Sequence, residues 1–284
     1  DQPDHKSATK AVELLQKHGD QPFFLAVGLV RPHYPMVAPQ QYFDPYPWQK
    51  IKLPKTVKDD AQDIPKAGLA GTRSETNSIG KYPDNQKRMW TGYYASVAFM
   101  DAQVGRILDE LDRLGLREST AVVFTSDHGY HLGEHGFWQK SNLHEEVTRV
   151  PLIIDAPGYS SGRSRALAEL MDIYPTVSEL AGLKVPAEVQ GQSLVPVLKN
   201  PAASVRRGAL SLNRGNYGLR TTGWAYLRYK DGSAELYDMK ADPHQFTNLA
   251  KHPQHAKTAA LLDTHLNNRL RKAGLQGERG GKKN

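Results

Sequence analysis

The sequence predicts an α/β fold with a mostly parallel central sheet, followed by a small antiparallel sheet with a packed helix. Apolar runs at 23–29, 120–125 and 151–155 are rich in Val, Ile, Leu and Phe, as buried strands are. A segment at 85–114 has apolar residues at helical spacing, which predicts a long amphipathic helix. Past residue 206 the apolar runs become short and alternate with turn residues, which is typical of antiparallel strands.

The first part of the chain is expected to begin with a helix at about 7–17, closed by Gly19. The run 23–29 is too uniformly apolar for a half-exposed strand, so we expect it to lie inside a sheet. A loop rich in proline and aromatic residues follows at 31–54, and a polar stretch continues to residue 84. Irregular segments of this length are usually functional or disordered.

The later elements are marked by turn residues. Gly115 closes the helix at 85–114, and a short helix at 172–180 ends near Gly182. The sequence predicts two domains: an α/β part at 1–205 and a C-terminal subdomain at 206–284. The expected elements of the subdomain are strands at 209–212, 218–221, 224–229 and 235–238, a hairpin turn at Asp231-Gly232, and a helix at about 254–272.

Composition favours an anionic partner. The 284 residues include 37 Lys and Arg against 30 Asp and Glu, which gives a net charge of +7. Part of this excess lies in the tail at 279–284, whose composition is typical of disorder. Cysteine is absent, which excludes disulfides and thiolate chemistry. No apolar run approaches the ~20 residues that span a bilayer, and the N-terminus does not resemble a signal peptide.

The loop after the predicted strand at 120–125 is unusually rich in ionisable residues. It holds three histidines, two acids and Lys140 among three glycines. Ligands bind at the carboxyl ends of strands in open α/β sheets, so this loop is a candidate metal and anion site. Asp127 suits a hard cation such as Ca²⁺, whereas the imidazole of His128 suits Zn²⁺ better. Both could reach one cation where Gly129 allows a sharp turn, but two ligands complete no coordination sphere. The alternative is a surface loop whose histidines only pack.

A second candidate segment follows the run at 23–29. Prolines on both sides of His33, at Pro32 and Pro35, should hold it in an extended backbone with little freedom. A histidine presented in this way can donate a proton to a leaving group or bind an anionic oxygen. The alternative is a histidine packed among prolines.

These segments together resemble the sulfatase family of the alkaline-phosphatase-like superfamily, and most closely its iduronate-2-sulfatase-like branch. The matching motifs follow the family order across nearly the whole chain. They are FFLAVG at 23–28 with RPHYP at 31–35, YYASV at 93–97 with MDAQVGR at 100–106, FTSDHG at 124–129 with LGEHG at 132–136, Trp138 and Lys140, RVPLII at 149–154 with APG at 156–158, DIYPT at 172–176, GQSL at 191–194, and ELYD at 235–238 with DP at 242–243 and NLA at 248–250.

The resemblance implies an alkaline-phosphatase-like sandwich, with only part of its central sheet in this chain. Asp127 and His128 match two ligands of the family's divalent cation, normally Ca²⁺. Many members have Asn at the second position, so His resembles the iduronate type and leaves another divalent cation open. Lys140 matches the lysine that binds the sulfate, and His33 matches the histidine beside the sulfate and its ester oxygen. Both are therefore expected to be catalytic.

The chain also departs from the family pattern. Sulfatases carry a formylglycine nucleophile, made from Cys or Ser in a Cys/Ser-x-Pro-x-Arg signature, and an upstream pair of aspartates that completes the metal site. This sequence has no Cys and no Ser-x-Pro-x-Arg, and the Asp59-Asp60 pair lies too late in the chain to be assigned to the missing ligands. We therefore expect residues 1–205 to be the C-terminal portion of a catalytic domain whose N-terminal half carries the formylglycine.

The leading hypothesis is hydrolysis of a sulfate ester on a sulfated sugar or polysaccharide by this chain together with that N-terminal half. Arg31, Tyr130, His131 and Trp138 are candidate sugar contacts. One alternative is phosphate or phosphonate ester hydrolysis on the same fold, and another is an inactive fragment that binds an anionic glycan. Nucleic-acid binding is not favoured, since the basic residues are scattered and no recognised module is present. The resemblance implies a location outside the cytoplasm, whether periplasmic, secreted or lysosomal.

Overall fold

The chain divides into two compact units. The structure, a computed structural model, describes residues 2–275, so the tail at 279–284 lies outside the described residues. One unit is Asp1–Lys55 with Arg73–Thr120, and the other is Thr56–Thr72 with Ala121–Asn284. This division differs from the two domains predicted from the sequence, at 1–205 and 206–284. The predicted domain boundary after residue 205 stays a prediction. No helix within residues 2–275 has the length and apolar character needed to cross a bilayer.

The first unit is built on two long helices, with a single helical turn before the second. Helix α1 is Pro3–His18 and begins four residues before the predicted start, because Pro3 rather than Ser7 opens it. Helix α2 is the single turn Ser78–Lys81, and α3 is the long helix Pro83–Arg113. Side chains join α1 to α3: Arg106 donates to Thr9 Oγ1 at 3.0 Å, and Gln16 donates to Glu110 at 2.9 Å. The prediction of a long helix closed by Gly115, whose φ is +68°, is confirmed.

The prediction of a buried strand at 23–29 is wrong for the described residues. The segment forms no strand, and Phe24 is 81% exposed. The apolar sequence is suited to a sheet interior, but the described part of the chain places no strand against it. Its end is fixed instead by the buried Asp4, whose carboxylate accepts from Val30 N at 2.7 Å and Arg31 N at 3.0 Å.

The second unit contains a strand pair that carries the acid- and histidine-rich loop. The expected strands at 120–125 and 151–155 are confirmed, but they pair antiparallel, with Val123 opposite Ile154. This pair alone therefore does not supply the parallel arrangement expected from the sequence. The elements in this region are β1 (Thr72–Arg73), β2 (Val122–Thr125), β3 (His131–Leu132), β4 (Phe137–Gln139), α4 (Glu145–Thr148), β5 (Leu152–Asp155), α5 (Ile173–Leu180) and α6 (Val195–Lys199).

The small sheet and helix at the end of the chain match the sequence prediction closely. Strands β6 (Ala209–Asn213), β7 (Asn216–Arg220), β8 (Trp224–Arg228) and β9 (Ala234–Asp238) form one antiparallel sheet in chain order. Gly232, with φ of +84°, makes the β8–β9 turn. Helix α7 (Ala256–Lys272) packs on one face of the sheet. The core between them consists of Leu219, Tyr226, Leu236, Leu262, Leu266 and Leu270.

Candidate active site

Asp127 and His128 lie on a turn directly after β2. The His128 Nδ1 atom lies 2.8 Å from the carbonyl oxygen of Gly129. A carbonyl can only accept, so Nδ1 carries a proton, and Nε2 is the ring nitrogen that can serve as a metal ligand. That Nε2 atom lies 3.4 Å from Asp127 Oδ2. The turn therefore presents one imidazole nitrogen and one carboxylate oxygen side by side, and the Asp127 side chain is 83% exposed.

Gly129 fixes this turn by close packing. Its N–H donates to Val147 O at 2.8 Å, and the next N–H, of Tyr130, donates to Glu146 O at 2.9 Å. A Cβ added at Gly129 would lie 1.9 Å from Glu146 O, far inside van der Waals contact. Because Gly129 is not among the residues with positive φ, the glycine is needed for close approach rather than for a left-handed backbone.

The two donor atoms fit neighbouring positions on one divalent cation. Calcium binds oxygen ligands at about 2.3–2.6 Å, so donors 3.4 Å apart can contact the same ion. The Nδ1–H bond to a carbonyl is also the usual way in which a protein fixes a metal-binding histidine. Within residues 2–275 no group of three or more His, Cys, Asp or Glu side chains could hold a metal. The described residues therefore offer two ligands that fit and not a complete site.

Lys140 follows the β3–β4 hairpin, in which Leu132 pairs with Trp138. The residue before it, Gln139, has φ of +70°, so the chain bends at this point. The Lys140 side chain is half-buried, and among the described residues its ammonium forms no ion pair with a carboxylate. A cation with this environment is suited to an anionic ligand.

The structure corrects two of the expected sugar contacts. His131 is fully buried and Trp138 is 2% exposed, so neither has surface to offer a sugar. The strand β3 turns His131 into the interior, where its Nε2 lies 3.0 Å from Asn142 Oδ1. Burial, together with the charge of the nearby His144, lowers the pKa of His131 to about 3. Both residues therefore have a packing role, while Tyr130, which is half-buried, stays a predicted contact.

A buried polar network that sequence reasoning missed lies beneath this hairpin. Asn142 binds His144 Nδ1 at 2.9 Å, and His144 Nε2 donates to Glu235 at 2.9 Å. The hydroxyls of Tyr229 and Tyr237 also donate to Glu235, which is fully buried. The network joins the 131–144 loop to the C-terminal sheet. In the sequence, the one sign of this network is Glu235, a charged residue beside apolar residues in a predicted strand.

His135 makes a second buried contact, with Asp60. The His135 Nδ1 atom lies 2.8 Å from Asp60 Oδ2, and its Nε2 lies 3.8 Å from Glu146 Oε1. Burial opposes the charged imidazole, but the hydrogen bond to Asp60 and the charge of Glu146 outweigh it and raise the pKa of His135. The Oδ2 atom of the buried Asp60 therefore accepts a hydrogen bond from His135.

We expect this pair to make stability depend on pH. Because the pKa of His135 is raised in the folded protein, the pair stabilises the fold fully below about pH 6.5, the pKa of an unfolded histidine. This stabilisation is lost as the pH rises through the pKa of His135 in the folded protein. The Asp60→Asn variant should lose about 1.5–3 kcal/mol at pH 6, the size of a hydrogen bond to a charged group. Urea unfolding from pH 5 to 9 measures the difference from wild type. A difference that stays constant over this range would contradict the assignment.

His33 and Arg31 lie in the first unit, on a turn rather than in the extended backbone expected from the prolines. His33 N donates to Val30 O at 2.9 Å, and the Arg31 guanidinium donates to the carbonyls of His33 at 3.1 Å and Pro35 at 2.9 Å. These bonds fold the segment back on itself. His33 Nδ1 lies 2.6 Å from Tyr34 O, so Nδ1 carries a proton that it donates to this carbonyl, and the His33 side chain is exposed.

Comparison with known proteins finds relatives among the sulfatases. The family model described as Sulfatase matches residues 1–183, and the model described as N-sulphoglucosamine sulphohydrolase, C-terminal, matches 133–272. A sulfatase from Formosa agariphila is 36% identical over 258 residues, covering 87% of this chain and 50% of the relative. Human iduronate 2-sulfatase is 34% identical over 223 residues, covering 65% of this chain and 40% of the relative.

Solved structures agree on the fold. A protein in complex with its substrate D-glucosamine-2-N,6-O-disulfate superposes with a TM-score of 0.84 at 22% identity, covering 97% of this chain and 71% of that one. A phosphonate monoester hydrolase from Silicibacter pomeroyi superposes at 0.82 with 24% identity, covering 94% of this chain and 60% of that one. The predicted α/β fold class is thereby confirmed.

The fold is thus that of the sulfatase-type α/β proteins. The chain belongs to the sulfatase family. It spans about half the length of the relatives it matches.

Proposed function

We propose that this chain is part of a sulfuric ester hydrolase that acts on a sulfated sugar or polysaccharide. The observation that carries the proposal is the pair of donor atoms, Asp127 Oδ2 and His128 Nε2, held 3.4 Å apart on a turn locked by Gly129. The half-buried Lys140 on the same unit supplies a cation without a carboxylate partner among the described residues. The net charge of +7 suits a polyanionic substrate. The iduronate-2-sulfatase-like branch is part of this proposal.

Each residue then has a distinct role. Asp127 and His128 hold the divalent cation, which we take to be Ca²⁺ and which neutralises charge on the ester's anionic oxygens when bound. Lys140 donates a hydrogen bond to a sulfate oxygen and stabilises the charge that builds up there. His33, as an imidazolium, donates its Nε2 proton to the bridging oxygen as the alcohol leaves, while its Nδ1–H stays bonded to Tyr34 O. Arg31 holds the His33 turn, and together with Tyr130 it remains a proposed sugar contact.

The nucleophile and the remaining metal ligands are assigned to an N-terminal half of the same sulfatase. This chain has no Cys from which formylglycine could be made, and no Ser in the required signature. The relatives are about twice as long as the matched region, which leaves room for that half. We propose an extracytoplasmic location, since the relatives include an iduronate 2-sulfatase and arylsulfatases of the same family.

A test of the reaction class compares turnover of matched aryl sulfate and aryl phosphate esters by an intact preparation that contains both halves. The proposal expects the sulfate ester to be the better substrate. Faster turnover of the phosphate or a phosphonate ester would contradict the proposal and favour phosphate or phosphonate ester hydrolysis on the same fold. Salt-sensitive binding to an acidic polysaccharide, with no turnover and no stoichiometric metal, would reduce the chain to a glycan-binding protein.

The role of His33 predicts a specific dependence on the leaving group. In the intact preparation, His33→Ala should lower kcat/KM by about 10²–10⁴-fold for sugar sulfates, whose alcohols need a proton to leave. Aryl sulfates with acidic phenols should be affected far less, because their leaving groups need no proton. A series of aryl sulfates of increasing phenol acidity measures this. An equal loss for every ester would assign His33 to binding rather than to proton transfer.

A further inference from the structure

The first unit contains an aromatic pocket that lies on the loop at 40–51 and the N-terminal turns of α3. The pocket has a volume of about 310 Å³ and is lined by Phe43, Tyr46, Pro47, Trp48, Arg88 and Thr91. This volume is at the small end of the range for ligand sites. None of the residues assigned to hydrolysis lines it.

The pocket is held in shape by contacts beneath it. The buried Thr91 donates to Tyr46 O at 2.9 Å, which ties the loop to the helix. The Tyr46 ring lies 5.4 Å from the ring of Tyr94, and Tyr42 packs against Phe99 at the same distance. Turn hydrogen bonds from Tyr46 N to Phe43 O, at 2.9 Å, and from Ile51 N to Trp48 O, at 3.2 Å, order the loop itself. The aromatic surfaces are therefore presented in a fixed arrangement.

A cation lies within this aromatic frame. The Arg88 guanidinium lies 4.2 Å from the centre of the Trp48 ring, a stacking distance. A guanidinium in contact with the face of a ring can still bind a carboxylate or sulfate through its N–H groups. The surrounding sequence is basic: residues 43–55 and 83–91 contain Lys50, Lys52, Lys55, Lys87 and Arg88 against Asp44 and Asp84.

We propose that this pocket binds an anionic sugar ring, a pyranose that bears a sulfate or carboxylate group. The C–H face of a pyranose packs on the aromatic rings, while its charged substituent meets Arg88 in a setting of matching charge. The choice of a sugar over another anionic ring rests on the proposed function. The pocket would hold one sugar residue of a glycan chain through side chains that the proposed hydrolysis does not use.

The experiment measures binding by calorimetry, without turnover, in the Lys140→Ala background so that the proposed sulfate site contributes little. The ligands are a sulfated hexasaccharide of glucosamine and uronic acid, the same chain without sulfate, and a neutral cello-oligosaccharide. We expect the two anionic chains to bind and the neutral chain to bind at least 10-fold more weakly. Arg88→Ala and Trp48→Ala should each weaken the anionic chains at least 10-fold, Arg88→Lys by less, and Trp48→Phe by under 3-fold.

Lys6→Ala, at an exposed lysine of α1, is the matched control and should change affinity by less than 2-fold. Arg88→Gln, at an exposed position, keeps the test valid if Trp48→Ala fails to fold. Affinity unchanged by the Arg88 variants, equal binding of the neutral chain, or no binding of either anionic chain would overturn the inference. None of these results bears on turnover, so failure here is separate from failure of the proposed reaction.

Discussion

The Lys140→Ala variant of an intact preparation is expected to lose about 10²–10³-fold in kcat/KM on a sulfated sugar, the usual cost of removing one donor to developing charge. The half-buried ammonium has no carboxylate partner among the described residues, so its charge is available to the substrate. The measurement is steady-state kinetics under subsaturating substrate. Lys140→Arg should recover only part of the activity, because the larger, planar guanidinium of Arg replaces the compact ammonium of Lys.

The matched control is Lys184→Ala, which removes an exposed lysine of the same unit and should leave kcat/KM unchanged. It separates a local role from the effect of net charge on a polyanionic substrate. Equal losses in the two variants would mean that Lys140 acts only through the overall charge.

The Glu235→Gln variant is expected to lose about 1–3 kcal/mol of unfolding free energy, the cost of leaving buried hydrogen-bonding groups unsatisfied. The carboxylate accepts from His144 and from the hydroxyls of Tyr229 and Tyr237. The amide of Gln has N–H donors of its own, and these would face at least one of the three groups that now donate to the carboxylate. Gly68 packs directly on Glu235, since a Cβ there would lie 2.2 Å from Oε1, so the carboxylate is closely enclosed on this side. Urea unfolding at pH 7 measures the loss.

This effect should also depend on pH, in the opposite direction to that of Asp60→Asn. Burial would raise the pKa of Glu235, but His144 and the hydrogen bonds outweigh it and lower the pKa. The Glu235 carboxylate therefore stabilises the fold above about pH 4.5, the pKa of an unfolded glutamate. This stabilisation is lost as the pH falls through the pKa of Glu235 in the folded protein. Glu188→Gln, at an exposed site, is the control and should change stability by under 0.5 kcal/mol. A similar small loss for Glu235→Gln would contradict the network.

Local patterns explain why the helices and the C-terminal sheet could be predicted. Helix α3 and strands β6–β9 follow from apolar spacing and from glycines at turns, which depend on neighbours in sequence. The run at 23–29 has an equally clear pattern, but a strand also needs a partner, and partner strands are distant in sequence. A segment can therefore be suited to a sheet interior and still be exposed, as Phe24 is.

In the candidate site, too, contacts between side chains that are distant in sequence could not be predicted from local patterns. The turn at Asp127 and His128 follows a strand, so its position could be predicted from the sequence. The burial of His131 could not, because β3 has only two residues and offers no alternation to interpret. The contact between Asp60 and His135 joins residues 75 apart, and no local signal connects them. The turn at His33 depends on Arg31 binding backbone carbonyls, which residue types alone do not reveal.

Calorimetric titration of Ca²⁺ into the intact preparation, before and after Asp127→Asn, tests the metal site most directly. One cation should bind per molecule, and Asp127→Asn should weaken it at least 100-fold, whereas Asp59→Asn, the same change at an exposed carboxylate, should not. Equal affinity in wild type and Asp127→Asn would contradict the assignment of the turn after β2 as the metal-binding part of the active site.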